Sequence, residues 1–179
     1  GPPPVLASCA RLFRLGTART GRWRSPKCLA GESYGTLRAA ALAELLQTRF
    51  GMYCNGVILI SSVLDMATLR PHEDNDLPTT LFLPTYAATA WYHKALAPEL
   101  QKKPLAEVIA AAAEFALGDY TAALMRGSQL AGAQREKIVS QLARFSRLTP
   151  DYLLPVVLRP MHIRYFNQVL RHRGLTVGR

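Results

Sequence analysis

The first part of the chain alternates between helical and strand-like patterns of hydrophobic residues. Apolar residues recur at helical spacing in residues 6–15 and again in residues 34–50, where Gly51 follows in the usual C-terminal position. A short apolar run at residues 27–30 and a continuous, uncharged, β-branched run at residues 57–62 are typical of buried parallel strands. Strand, helix and strand in this order predict a βαβ unit with a right-handed crossover.

The pattern changes after residue 65. An acidic loop bounded by Pro71 and Pro78 leads into a segment with no further strand pattern. Helical spacing is present in five stretches, which are residues 86–96, 104–126, 131–148, 150–158 and 161–173. The hydrophobic pattern therefore predicts two regions, residues 1–65 with a βαβ unit and residues 66–179 with helices only.

Composition narrows the class of protein. The chain has 179 residues, the size of one domain, and its 49% hydrophobic and 19% charged residues exclude a disordered protein. Three cysteines are too few, and odd in number, for a disulfide scaffold, and we expect no zinc site or other cofactor site. No window approaches the roughly 18 uncharged apolar residues of a membrane-spanning helix, so no span is predicted. The N-terminal residues also lack the charged beginning of a signal peptide.

Positive charge is concentrated at the two ends of the chain, and the net charge is +10. Residues 1–27 carry six basic and no acidic side chains, residues 144–179 carry seven basic and one acidic, and the middle carries nine basic and eleven acidic. Few aromatic residues are interleaved with the N-terminal arginines, so we expect no nucleic-acid partner. One hypothesis from this distribution is a non-enzymatic helical binding module whose basic ends contact an acidic partner.

One motif carries candidate chemistry. Residues 31–35, Gly-Glu-Ser-Tyr-Gly, fit G-x-S-x-G, the strained turn that exposes a nucleophilic serine between a strand and a helix. Gly31 and Gly35 are expected to lack room for side chains, because strand and helix pack closely there. The start of the helix would direct N–H groups at a developing oxyanion, with the Tyr34 N–H as one donor. The alternative is a glycine-bounded turn with an exposed serine.

The same residues carry a family resemblance. Gly-Glu-Ser-Tyr-Gly resembles the nucleophile motif of the serine carboxypeptidases, and the longer stretch of residues 21–36 resembles the bacterial branch of that family. Further similar stretches are residues 55–65, 75–78, 83–88, 90–93 and 170–179. The resemblance spans residues 10–179, and the serine motif with its following helix is the most specific part.

The resemblance implies a fold and a reaction. The fold would be of the α/β class, with a partial α/β-hydrolase core and nucleophile elbow in residues 1–65, followed by a mostly α-helical cap insertion in residues 66–179. The reaction would be hydrolysis of the C-terminal peptide bond of a peptide substrate at acidic pH by a Ser-Asp-His triad. Ser33 would be the acylated nucleophile, and the Tyr34 backbone N–H would form half of the oxyanion hole. Glu32 would help to recognise the carboxylate at the C-terminus of the substrate.

The sequence also departs from the family. The glycine-rich stretch that supplies the other oxyanion N–H would precede these residues, and the triad aspartate and histidine would follow the insertion, but neither is found. We therefore expect an internal fragment that is inactive on its own. Only two strands of a larger sheet would remain, and their unpaired edges favour self-association. Complete members of this branch are commonly exported, and nothing in this sequence indicates its compartment.

A triad made within the chain is not favoured. Asp65 follows a predicted strand as a triad acid would. The bases available to it are His72, His93, His162 and His172. His93 is expected to be packed or interfacial, and His162 and His172 are expected to lie on the surface.

The remaining candidate residues favour structural roles. The acidic residues 73–76 indicate a solvated linker rather than a cation site, because their oxygens lack a spaced ligand pattern. Cys28 and Cys54 are expected to be small core residues. Core packing between helices is predicted for the aromatic residues Trp91, Tyr92, Tyr152, Tyr165 and Phe166.

Overall fold

Helices dominate the structure. The computed structural model describes residues 3–72, 74–130 and 132–177, and 64% of these residues are helical. Two short parallel strands are the only strands in the described residues. The predicted fold class, an α/β protein with a partial α/β-hydrolase core and a mostly helical cap, is therefore wrong. The two apolar runs pair only with each other, whereas the other long stretches of the chain have the period of a helix.

The chain divides into two units after Met66, next to the predicted boundary at residue 65. The elements of unit 1 (residues 1–66) are helix α1 (Pro4–Arg19), strand β1 (Cys28–Glu32), helix α2 (Tyr34–Phe50) and strand β2 (Gly56–Ile60). The strands are parallel and in register from Cys28 opposite Gly56 to Glu32 opposite Ile60. A 3-10 turn at Met66–Thr68 follows β2.

The core of unit 1 is small. Helix α2 buries one face, because its apolar residues recur at intervals of three and four, and it ends at Gly51 in the left-handed conformation (φ +58°) that glycine adopts without strain. Seven apolar residues are buried in the described part of this unit, namely Ala10, Leu29, Ala39, Leu42, Leu45, Leu46 and Met52. Helices α1 and α2 and strand β1 supply all but one of them.

Strand β2 is exposed, which overturns the prediction of a buried strand. The exposed fractions of Val57, Ile58, Leu59 and Ile60 are 41%, 53%, 40% and 49%. Because side chains alternate between the two faces of a strand, both faces of β2 are uncovered. Cys28 on β1 is exposed as well, so the prediction of a core residue is wrong there, whereas Cys54 is half-buried against the core.

The described part of unit 2 (residues 67–179) is helical. Its α-helices are α3 (Leu77–Tyr92), α4 (Pro98–Gln101), α5 (Leu105–Phe115), α6 (Thr121–Arg126), α7 (Gly132–Ser146), α8 (Pro150–Leu153) and α9 (His162–Gln168). A π-helical segment, Ala116–Tyr120, joins α5 to α6, and 3-10 turns occur at Gly127–Gln129 and Arg171–Arg173. The helix predicted for residues 150–158 is a single turn.

In residues 67–72, 74–130 and 132–177, unit 2 has a large apolar core of twenty-four buried residues. At its centre the rings of Tyr86 and Tyr165 stack with centroids 4.0 Å apart, and the Tyr165 hydroxyl donates a hydrogen bond to the Tyr86 carbonyl at 2.8 Å. Trp91, Tyr152, Tyr165 and Phe166 lie in or against this core, in agreement with the predicted packing. The prediction is wrong for Tyr92, which is 75% exposed.

An ion pair fixes the start of α3 to the loop after α8. The Asp76 carboxylate accepts hydrogen bonds from Arg159 Nε at 2.6 Å and Arg159 Nη2 at 2.7 Å. The adjacent Leu158 carbonyl accepts a hydrogen bond from the buried Tyr120 hydroxyl. The prediction of a solvated linker is therefore wrong for Asp76, and Glu73 of the same loop lies outside the described residues.

Among the residues that the structure describes, one helical stretch, Leu105–Gln129, is long and apolar enough to cross a membrane by length and composition alone. It contains Glu114 and Asp119, and it contributes Val108 and Tyr120 to the core of unit 2. A single stretch of this kind does not decide for a span, because core helices satisfy the same two criteria.

Candidate active site around Ser33

Ser33 forms the turn between β1 and α2. Its backbone angles are φ +52° and ψ −122°, a conformation that costs a residue other than glycine about 1–3 kcal/mol. The Ser33 N–H donates a hydrogen bond to the Ile60 carbonyl at 2.9 Å, and the Ser33 carbonyl accepts one from the Thr36 N–H at 3.0 Å. The turn is therefore fixed by β2 on one side and by the first turn of α2 on the other.

Two glycines flank this turn, and only one of them is sterically required. A Cβ added to Gly31 would lie 2.2 Å from the Gly35 carbonyl oxygen and 2.8 Å from the Thr36 backbone nitrogen. A Cβ added to Gly35 would meet no atom of the described residues within 4 Å. The prediction that neither glycine has room for a side chain is therefore wrong for Gly35. The backbone of Gly35 occupies the space that a side chain at Gly31 would need.

The Ser33 side chain is exposed and makes no capping hydrogen bond to α2. Its hydroxyl is thus not used in the role that serine commonly has at a helix start. Tyr34 is the first residue of α2, and the first four N–H groups of a helix have no partner within the helix. The partial positive charge of the helix N-terminus lies at the same place. The turn therefore presents a surface hydroxyl next to an N–H group suited to a developing oxyanion.

A groove of about 320 Å³ runs along β1 to this turn. All five β1 residues line it, together with residues of α1 and α2. Because β1 side chains point to both faces of the sheet, the groove follows the edge of β1 that faces away from β2. Glu32 and Arg38 are its charged residues, and the Arg38 guanidinium lies 4.9 Å from the centre of the Tyr34 ring. The other lining residues are apolar or small, and the groove reaches Glu32 and Gly35 on either side of the turn, without Ser33 or Tyr34 themselves in its lining.

Thr36 joins the Ser33 turn to the segment that follows β2. Its side chain is fully buried. The Thr36 Oγ1 atom lies 2.6 Å from the Ser33 carbonyl oxygen and 3.0 Å from the Val63 carbonyl oxygen, and it accepts a hydrogen bond from the Val63 N–H at 2.9 Å. Sequence reasoning missed both residues. The only feature of the sequence that could have indicated a role for Thr36 is its position three residues after the serine. The sequence does not indicate its pairing with Val63, because the two residues are 27 positions apart.

Unit 1 supplies no histidine, because all four histidines of the sequence belong to unit 2. His72 and His172 are exposed, and His93 is half-buried at the end of α3. His162 was expected on the surface, but it is half-buried, and its ring centroid lies 5.1 Å from that of Phe82. The residues that the structure brings together around Ser33 are thus Gly31, Tyr34 and Thr36, without a histidine from the same unit.

A metal site is not formed by the described residues. They contain no group of three or more histidine, cysteine, aspartate or glutamate residues that could hold an ion. Asp65 lies in an exposed position five residues after the end of β2. The chemistry of the site is therefore that of a hydroxyl, an N–H donor and the two charged groups of the groove.

Comparison of the chain with known proteins assigns it to no family. The resemblance to the serine carboxypeptidases, predicted from residues 31–35 above all, stays a prediction. Function therefore has to be inferred from Ser33 and the residues around it. No protein-family model, no curated protein and no solved structure matches the chain.

Proposed function

We propose that the protein is a serine-type hydrolase of the carboxypeptidase kind, with Ser33 as the nucleophile. The observation that carries the proposal is the conformation of Ser33, φ +52° and ψ −122°, at a junction between a strand and a helix. Such strain persists only where the surroundings enforce it, and it is concentrated at functional sites. An exposed serine in an ordinary glycine-bounded turn needs neither this strain nor the close approach of Gly35 to Gly31.

The proposed roles of the neighbouring residues follow from their positions. The Tyr34 N–H stabilises the oxyanion that forms when the Ser33 hydroxyl attacks a carbonyl carbon. The groove along β1 binds the peptide, because its edge has room for an extended chain. Glu32 lies at the end of the groove next to Ser33, and in its carboxylic acid form it donates a hydrogen bond to the terminal carboxylate of the substrate, so that the two carboxyl groups share one proton.

The Ser33 hydroxyl needs a general base in order to act as a nucleophile. A serine hydroxyl is a weak nucleophile until an adjacent base removes its proton. No residue of unit 1 is a histidine, so the residues described around Ser33 leave this role open. We therefore expect turnover to be very slow unless a base is supplied, and we expect dissolved imidazole to supply one.

The test is hydrolysis of an N-blocked depsipeptide, in which an ester replaces the terminal peptide bond and the carboxylate is free. We expect slow release of the C-terminal hydroxy acid that rises with the imidazole concentration, beyond the rate with imidazole alone. Ser33→Ala should abolish this excess. Ser61→Ala is the matched control, because Ser61 is also an exposed serine with a positive φ (+49°) near the turn. This variant should hydrolyse the substrate at the same rate as the parent.

A second substrate separates a carboxypeptidase from a general esterase. The same depsipeptide with a methylated carboxylate should be hydrolysed at least about tenfold more slowly, because a charged terminal group is the feature that such a site recognises. Equal rates for the two substrates would contradict the carboxypeptidase assignment. Equal rates for the parent and Ser33→Ala would contradict the whole proposal. The alternative of a binding module with basic ends stays a prediction from the charge distribution.

A further inference from the structure

The Thr36 hydroxyl is placed where it can control the shape of the nucleophile turn. The side chain is fully buried, and its oxygen contacts two separate parts of the backbone, the Ser33 carbonyl at 2.6 Å and both polar groups of Val63 at 2.9 and 3.0 Å. A hydroxyl has one proton and two lone pairs. The Val63 N–H occupies one lone pair, and the single proton is directed at the Ser33 or the Val63 carbonyl.

These contacts complete the hydrogen bonding of Ser33. The Ser33 N–H is bonded to the Ile60 carbonyl, and the Ser33 carbonyl is bonded to the N–H of Thr36 and lies within reach of its hydroxyl. The two peptide planes on either side of a residue define its φ and ψ. Both planes at Ser33 are thus fixed, which is the condition for a strained backbone conformation to persist.

Thr36 differs from an ordinary helical threonine. Thr48 on the same helix is exposed, and its hydroxyl donates to the Glu44 carbonyl one turn earlier at 2.8 Å, the usual local bond of a threonine in a helix. The Thr36 hydroxyl has a local contact with the Ser33 carbonyl and in addition contacts Val63, 27 residues away, which ties the segment after β2 to the first turn of α2. Thr48 is therefore a matched control for Thr36.

We propose that Thr36 is a positioning residue for Ser33. Its hydroxyl keeps the turn in the conformation that exposes the Ser33 side chain beside the Tyr34 N–H, and it fixes the segment of residues 61–63 against this turn. Its kinetic consequence rests on the proposed function of Ser33. Its structural consequence, the protection of the Val63 amide, does not depend on any activity.

The test compares Thr36→Val, which keeps the shape and removes the hydroxyl, with Thr36→Ser, which keeps the hydroxyl. Thr48→Val is the control. Two quantities are measured on the full chain, namely the hydrogen-exchange rate of the Val63 amide and the rate at which a fluorophosphonate probe labels Ser33 in the presence of imidazole. In Thr36→Val we expect amide exchange to be about tenfold faster and labelling to be about tenfold slower, since the polar groups of the half-buried Val63 lose the Thr36 hydroxyl as their partner.

Rescue by the conservative variant separates positioning from packing. Thr36→Ser and Thr48→Val should both stay within about twofold of the parent in the two measurements. A tenfold change in Thr36→Ser would overturn the proposal, because the buried methyl group would then be the important part. Unchanged exchange and labelling in Thr36→Val would overturn it as well. If Thr36→Val does not fold, the Thr36→Ser result decides alone.

Failure of the proposed function gives a different pattern. If the parent is not labelled at Ser33 while the Val63 exchange responds to Thr36→Val and not to Thr36→Ser, the nucleophile assignment is wrong and the positioning of the turn by Thr36 stands. If the parent is labelled and neither measurement responds to Thr36→Val, the nucleophile assignment stands and the role of Thr36 is wrong.

Discussion

The two units of the chain differ in how much of their apolar surface they bury. Among the described residues, unit 2 buries twenty-four apolar residues, whereas unit 1 buries seven and leaves the four apolar residues 57–60 of β2 exposed. A helix satisfies its backbone hydrogen bonds internally, so a few helices complete a core. A parallel strand needs neighbours on both edges and cover on both faces. In the described residues each strand has one strand neighbour, β1 is covered on one face, and β2 is covered on neither.

The comparison also locates the candidate chemistry. The strained conformation of Ser33 and the buried Thr36 hydroxyl are in the unit with the smaller core. The geometry of the turn therefore depends on a few specific contacts, those of Gly31, Thr36 and Ile60, rather than on a large core. Substitutions at these contacts should have effects that are large relative to the stability of unit 1.

Gly31→Ala should have the largest effect on unit 1. The added Cβ would lie 2.2 Å from the Gly35 carbonyl oxygen, and both partners are backbone, so the strand and the helix must move apart. We expect the free energy of unfolding of unit 1 to fall by more than about 3 kcal/mol. The loss of stability is measured by denaturant unfolding, with amide hydrogen exchange of unit 1 as the signal. Gly35→Ala is the control: it meets open space in a helix and should be neutral or stabilising by up to about 1 kcal/mol. Equal losses in the two variants would contradict the steric account.

Leu142→Ala and Ile58→Ala test the difference between the two cores. Leu142 is fully buried in unit 2, and its truncation should lower the free energy of unfolding of that unit by about 3 kcal/mol. Ile58 is 53% exposed on β2, and its truncation should cost less than about 1 kcal/mol. Thermal or denaturant unfolding of each variant provides the values. A larger loss for Ile58→Ala than for Leu142→Ala would mean that β2 is covered in solution.

Alkaline pH should destabilise unit 2. Burial raises the pKa of Tyr86, Tyr120 and Tyr165 well above the ordinary tyrosine value of 10.0. The folded state therefore keeps protons that the unfolded state loses near pH 10. The contribution of these residues is complete below that pH and is lost as the pH rises from 10 toward the higher folded-state pKa. The loss of stability is measured by denaturant unfolding at several pH values between 9 and 12. Tyr165→Phe removes one titrating group and should flatten the fall in stability, and an unchanged slope in this variant would contradict the account.

Self-association through the exposed strand is a further way to sharpen the comparison. An uncharged, apolar strand with an open edge is a template for pairing with another chain. We expect the parent chain to associate with rising concentration in sedimentation experiments, and we expect Ile58→Lys to reduce this association. Leu117→Lys in unit 2 is the control, because Leu117 is 70% exposed but lies in a helical segment without a strand edge. Equal effects of both variants would point to general hydrophobic association.

An effect smaller than that of Leu142→Ala concerns the ion pair of unit 2. Asp76 accepts two hydrogen bonds from Arg159 in a half-buried position, so Asp76→Asn should cost about 1–2 kcal/mol. The exposed pair of Lys103 and Glu107, 3.9 Å apart within a helical turn, offers a control. Glu107→Gln should change the free energy of unfolding of unit 2 by less than about 0.5 kcal/mol. Thermal unfolding measures both changes. An equal loss of stability in Asp76→Asn and Glu107→Gln would contradict this account.

The sequence predicted local structure better than tertiary surroundings. The bounds of α2, residues 34–50, and the glycine that ends it follow from local spacing, and the structure has them at the predicted positions. The burial of β2 was wrongly predicted because its composition is that of a covered strand, and whether a strand is covered depends on other segments. For the same reason Asp76 was predicted in a solvated linker, although Arg159, its partner, is 83 residues away.

The candidate site divides in the same way. The position of Ser33 between a strand and a helix could be predicted from residues 27–36, because the motif and the change of period occur within one short stretch. The contact of Thr36 with Val63 could not, because nothing local indicates a hydrogen bond between residues so far apart in sequence. Gly35 shows the limit of the motif itself. The motif predicts that no side chain fits at Gly35, whereas the space beside its Cα atom is open.

The most direct test of the central claim is the position at which a fluorophosphonate probe labels the chain. The purified protein is treated with and without imidazole, and the adduct is located by peptide mapping, with Ser33→Ala as the control. The account predicts one main adduct, on Ser33, that forms faster as imidazole is added and is absent from Ser33→Ala. Labelling spread over the exposed serines, including Ser61 and Ser62, at rates like that of Ser33 would contradict it, because the strained turn would then confer no reactivity.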